Sequence, residues 1–332
     1  MKWMKPVLLS IALFVILGAL VSPFLFALGI AEAPSVSAEG ETGNEEIVLT
    51  EWGIVFFGHN GEFIASGVPG AIFPEGPADS FPPNDAVVRA PVIYVNGPAF
   101  TGTVRVTANG SIFESYPPPS SEHFAPAMVE WRARFSYDGG ELSQPQSSEL
   151  STAGYQLWRD CEAMTIDVPG GFRERFLYYE VIPYDLGDIP VSIYHEIADN
   201  FEKIPALAVI SGRGSRDGWT QVMRSAFLGD IADAASGSAM ISLNENKLRT
   251  YLEKWAEGYL SQRQFAAFWN TWRDWFMGGY QFGGNEDYYD HGYVLYLLPA
   301  AETENISHIE VIQDDTNYPV RVNRWLLVAV PW

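Results

Sequence analysis

The chain has a single cysteine, Cys161, in 332 residues. An intrachain disulfide is therefore excluded, and stability in an oxidising compartment must come from core size. Cys161 stands among apolar neighbours in WRDCEAMTIDV, which predicts a buried, inert thiol and not a nucleophile. Basic residues are scarce as well: 20 Lys and Arg against 41 Asp and Glu, a formal net charge of −21. Binding to phosphate backbones needs a basic stripe, so nucleic acid is not expected as a partner. Adhesion to an anionic membrane surface is disfavoured on the same ground, and the excess acid reads first as a solvated face. Several catalytic signatures are missing too. There is no G-x-S-x-G elbow. The glycines of SGRGSRDGW, Ser211 to Trp219, form neither G-x-G-x-x-G nor a P-loop and read as a hairpin loop. No repeat of fixed period is found.

What the chain has in quantity is apolar and aromatic side chains, 47% and 14% of residues, including eleven Trp. That is the composition of a packed globular body. It is preceded by an N-terminal run from Pro6 to Ala31 without a charge, behind Lys2 and Lys5. The run reaches the roughly 20 residues of a membrane span and exceeds the 7–15 of a signal-peptide core. Two outcomes stand open: an anchor with its N-terminus inside, or a long signal peptide cleaved after the SVSA that ends at Ala38. Both place the rest of the chain outside the cytoplasm. The expected organisation is a signal peptide or anchor over 1–38, an acidic spacer over 39–46, and an N-terminal β-sandwich region over 47–138. A linker or long loop over 139–154 then leads to a C-terminal β-rich region, 155–332.

Within the body short strands recur. In TGTVRVTANGSIFESY, Val104 and Val106 alternate with Arg105 and Thr107, and Asn109-Gly110 turns the chain into the next strand. Two helices interrupt the strands over 243–277. Ser242 with Glu245, and Ser261 with Gln264, have capping-box spacing. Leu248, Tyr251, Leu252, Trp255 and Tyr259 share one face of the first helix. Phe265, Phe268, Trp269, Trp272 and Phe276 share one of the second, with Trp275 toward its flank. Helical spacing of this kind usually marks core, not a sugar platform. The expected fold is mainly β: one or two antiparallel sandwiches, an inserted two-helix hairpin and an N-terminal hydrophobic helix.

Candidate chemistry is thin. Glu286, Asp287, Asp290 and His291 crowd the 283–292 loop. Dense loop carboxylates can supply the oxygen ligands of calcium, although EF-hand spacing is absent. Zinc at His291 needs ligands from elsewhere. HEIAD, His195 to Asp199, has Asp199 where a zincin has its second histidine. Asn109-Gly110-Ser111 and Asn305-Ile306-Ser307 are glycosylation sequons.

LTEWGIVFF…IASGVPG, RAPVIYV…GTVRVTANGSIFESYP, RERFLYYEV and TWRDWF…GYVLYLLP together resemble a family of uncharacterised exported microbial proteins. The resemblance implies one continuous architecture and an extracytoplasmic location, and carries no catalytic residues. MGGYQFGGNEDYYDHG departs from it, since a short link is expected there. The function expected from all this is an extracytoplasmic cell-envelope structural or binding module. Its partners are the membrane, through the N-terminal helix, and a glycan or envelope protein. The alternative is a secreted or membrane-anchored hydrolase acting on glycans or peptides.

Overall fold

The computed structural model describes residues 46–57, 86–124, 127–144, 153–184, 186–190, 197–214, 218–233, 241–277 and 290–331. They form β1 (Ile47–Phe57), β2 (Ala86–Asn96), β3 (Phe100–Ala108), β4 (Gly110–Tyr116), β5 (Ser121–Phe124) and β6 (Ala127–Ser136). Next come α1 (Ala153–Arg159), β7 (Thr165–Val168), β8 (Phe172–Glu174), β9 (Leu177–Pro183), α2 (Asp199–Glu202), β10 (Pro205–Gly214), β11 (Gly218–Phe227) and α3 (Leu228–Asp233). The last are β12 (Ile241–Ser242), α4 (Glu245–Ala256), α5 (Gln262–Phe276), β13 (Asp290–Leu297), α6 (Ala300–Ile306), β14 (Ser307–Gln313) and β15 (Val320–Pro331). The mainly β reading holds. The expected N-terminal helix lies outside the described residues. Among the described residues, no helix is long and apolar enough to cross a membrane.

The strands make a nine-stranded sheet, β12-β11-β10-β13-β15-β1-β2-β9-β4, and a six-stranded sheet, β14-β3-β6-β7-β8 with β5 on β6. β1 and β15 pair in parallel from Ile47↔Val320 to Phe56↔Ala329, in the middle of the larger sheet. Every other pairing is antiparallel. Strands from before and after residues 139–154 are neighbours in both sheets: β1 with β15, and β3 with β14. Between Trp52 and Ile54 the β1–β2 register slips by one residue, leaving Ala90-Pro91 of β2 opposite Gly53. Proline has no N–H to give a ladder, so a bulge is where an interior strand tolerates it.

Alternation along each strand divides the apolar side chains between two cores. Ile47, Leu49, Ile93, Val95, Leu177, Tyr179, Val328 and Val330 of the larger sheet share one with Phe100, Val104, Val106, Trp131, Phe135 and Ile166 of the smaller. Phe100 and Phe135 stack there at 4.4 Å. The opposite face of the larger sheet, with Trp52, Tyr94, Tyr178, Leu207, Leu295 and Trp325, packs on the helices. The apolar stripe of α5 buries all five residues expected of it, and Phe268 meets Trp325 edge-on at 4.6 Å.

The capping boxes divide. Ser261 and Gln264 cap reciprocally: Gln264 N donates to Ser261 Oγ at 3.2 Å, and Ser261 N to Gln264 Oε1 at 2.9 Å. Ser242 instead ends β12, and Asn244 caps α4 by accepting from Asn246 N at 2.8 Å. Asn109-Gly110 does turn the chain, but not into a hairpin: β3 belongs to the six-stranded sheet and β4 to the nine-stranded one. The pair is a corner between sheets.

Candidate functional site

Of the four residues expected to hold a metal, two are among the described residues. Asp290 and His291 open β13, where their backbones pair with Gly212 and Ser211 of β10. Glu286 and Asp287 lie outside the described residues. No group of three or more His, Cys, Asp or Glu suited to a metal occurs among the described residues. His195 and Glu196 also lie outside them, while Asp199 opens α2. The hairpin expected at Ser211 to Trp219 is formed by β10 and β11.

Two polar clusters that sequence reasoning did not single out are built on β9. Successive strand residues face opposite sides, so Tyr178 looks toward the helices and Tyr179 toward the smaller sheet. On the Tyr179 side, its hydroxyl donates to Glu51 Oε1 at 2.5 Å. Arg324 Nε donates to Glu51 Oε2 at 2.5 Å. Arg324 also donates to Ser307 Oγ at 2.7 Å, to the Ser307 carbonyl, to the Thr303 carbonyl at 3.2 Å and to Glu304 Oε1 at 3.1 Å. Ser307 and Tyr179 hydroxyls are 3.0 Å apart, and with the Tyr179 proton on Glu51 the serine is the donor. Glu51 is 0% exposed. Burial, then the Glu51 charge, pushes the Tyr179 hydroxyl well above its usual range, so it stays protonated and donates. The cluster joins β1, β9 and β15 to α6 and β14. Glu304 carries it outward to His308 Nδ1 at 2.6 Å.

On the Tyr178 side, its hydroxyl donates to the buried Glu180 Oε1 at 2.5 Å and lies 3.5 Å from Glu114 Oε2. Glu114 and Glu180 are cross-strand partners. A third group is centred on Glu174 at the end of β8, which accepts from Arg159 Nη2 at 2.6 Å, from Arg159 Nε at 3.0 and 3.1 Å, from Arg175 N at 2.9 Å and from Tyr116 Oη at 3.3 Å. Arg159 ends α1, whose Trp158 packs nearly parallel to Tyr178 at 5.7 Å and donates to Thr271 Oγ1 of α5 at 2.9 Å. The chemistry these groups suit is hydrogen-bond sharing: a phenol between two carboxylates, and a carboxylate in a charge-assisted pair with a guanidinium.

Cys161 is buried and free, as expected. Burial pushes its thiol up to about 11, against a lowering by Tyr94. Tyr94 Oη is beside both Cys161 and Trp52, without a hydrogen bond of ordinary geometry to either. A thiol so placed holds too little thiolate to be a nucleophile at neutral pH.

The outer face of the six-stranded sheet is laddered with charge. Arg105 bridges Glu130 at 2.7 Å and Glu310 at 2.8 Å, Arg132 meets Asp314 at 2.9 Å, and Arg173 meets Asp167 at 2.5 Å. Exposed pairs of this kind contribute little each, but they engage several of the few arginines with carboxylates. Comparison of the chain with protein families, curated proteins and solved structures finds no match.

Proposed function

We propose that the chain works outside the cytoplasm as a cell-envelope structural or binding module, whose two sheets form a β-sandwich. Residues 1–38 anchor or export it in this reading. The observation that supports it best is the network of Glu51, Tyr179, Ser307 and Arg324. These residue types are fitted for catalysis, yet here they are buried and bonded to one another, and they tie the first and last strands of the body to the second sheet. An envelope module needs such a rigid body without disulfides. Support also comes from the uncharged run behind Lys2 and Lys5. The test is membrane-impermeant amine labelling of intact cells, followed by mass spectrometry of the full chain. Labelling of Lys203, Lys247 and Lys254 before lysis is expected. Labels confined to lysed cells would refute the location.

A hydrolase is the second reading, and Glu114 with Glu180 is the observation that favours it. Retaining glycosidases need two carboxyl groups about 5–5.5 Å apart, and these two flank one hydroxyl. Glu180 is wholly buried, which ranks this reading second. Turnover of a glycan or peptide panel by the wild type, abolished in Glu180→Gln, would put it first.

A further inference from the structure

We propose that Asn109 is a glycan attachment site, and that the attached sugar lies over Tyr184. The inference rests on the extracytoplasmic reading above, since oligosaccharide transfer to asparagine occurs beyond the cytoplasm.

Two independent observations meet at this corner. The first is an accessible sequon. Asn109 is exposed at the turn between sheets. Its backbone is pinned by Asn109 N to the Ile306 carbonyl and by Tyr184 N to the Asn109 carbonyl, both at 2.9 Å. Gly110 is needed for its own reason: a Cβ there would meet the Ile182 carbonyl oxygen at 2.1 Å. The Ser111 hydroxyl is partly exposed and hydrogen-bonded to the exposed Tyr184 Oη at 2.6 Å. The residue types that a transferase reads are thus presented at the surface.

The second is an uncovered ring beside it. Tyr184 is 72% exposed, and it joins Asn109 and Ser111 through the bonds just given. The apolar C–H face of a pyranose suits a ring face, and a sugar on Asn109 would start beside this one.

The other sequon supplies the contrast. Asn305 is exposed, but its Nδ2 is bonded to Glu302 Oε2 at 3.1 Å. Ser307 is buried, and its hydroxyl is engaged by Arg324 and Tyr179. Once folded, that hydroxyl is closed to a transferase.

The reaction needs a lipid-pyrophosphate-linked oligosaccharide as donor. Asn109 Nδ2 attacks the anomeric carbon and an N–C bond forms. The C–O bond to pyrophosphate breaks, and the lipid pyrophosphate leaves with the electron pair. One amide proton passes to a base of the transferase. No redox change occurs.

The test is expression of the full chain in a glycosylating secretory host, with a control sequon on an added flexible C-terminal tail. Expected is a glycan mass at Asn109 that N109Q loses and N305Q keeps, together with a modified tail. A modified tail with bare Asn109 overturns the inference and leaves the location standing. A bare tail and bare Asn109 overturn both. Enzymatic removal of the glycan should lower Tm by a few degrees in the wild type and leave the Tyr184→Ser variant unmoved. Equal shifts in the two proteins would overturn the seating on the ring.

Discussion

Arg324→Met should be among the most damaging single substitutions in the body. Methionine keeps much of the volume of the arginine stem, so the change isolates the guanidinium from the packing. Its removal leaves Glu51 buried with Tyr179 as its remaining partner, and strips the Ser307 and Thr303 carbonyls of a donor. Removing one member of a buried ion pair costs about 3–5 kcal/mol. For a domain of this size class each kcal/mol moves Tm by about 2–4 °C, so the expected fall is about 6–20 °C. The assay is urea unfolding followed by tryptophan fluorescence, with the slope checked for constancy. The double variant Glu51→Leu/Arg324→Met decides the mechanism. If the cost comes from an uncompensated charge, removing both charges recovers part of it, and the double variant is more stable than the sum of the single losses. A single loss below about 1 kcal/mol, or strict additivity, would refute the claim that the pair acts as a clamp.

Two further expectations follow from burial and charge. Cys161, with its thiol pushed up to about 11 by burial, should resist a disulfide reagent at pH 8 in the folded protein and react fully in denaturant; labelling of native protein within minutes would contradict this. For Glu304, burial acts to raise the carboxyl, but hydrogen bonding from His308 and the charge of Arg324 outweigh it, and the net shift is downward. A depressed folded-state value contributes stability that is full above the ordinary carboxylate range and is lost as pH falls through the lowered value. Glu304→Gln should therefore lower the urea midpoint slightly at pH 7, by up to about 1 kcal/mol for a group this exposed. The difference from wild type should fade as acid protonates the native carboxyl. A penalty that stays constant with pH would show that the charge is not the cause.

The helical hairpin was the most legible part of the fold. Five apolar residues at helical spacing over Phe265–Phe276 leave little choice of face, and Ser261/Gln264 marks the start. The α4 boundary slipped because β12 claims Ser242 for a strand pairing with Val222, a tertiary demand that capping spacing does not register. α1 was missed for a related reason. Its seven residues are too few to show a period, and isolated helices of that length are marginal. It is held by Trp158 against α5 and by Arg159 on Glu174. Asn109-Gly110 shows a different limit. Turn residues report that the chain bends, not which sheet receives the next strand.

The polar clusters were illegible for a reason that the topology makes plain. A charged residue in a strand is ordinarily placed on the solvent side, and Glu51, Glu180 and Arg324 invite that reading one at a time. Their strands have no solvent side. β1, β9 and β15 lie inside the nine-stranded sheet, with helices over one face and the smaller sheet over the other. A sheet covered on both faces reads as nearly continuous apolar sequence, as in VIYV, LYYEVI and WLLVAV. Within such runs an isolated glutamate or arginine has to be buried, and a buried charge has to be paired. The partner is distant in sequence, 273 residues away for Glu51 and Arg324, so no local pattern names it. The informative signal is therefore the mismatch itself. A lone charge in an otherwise apolar strand points to cover on both faces, and then to a search for the opposite charge on the neighbouring strands.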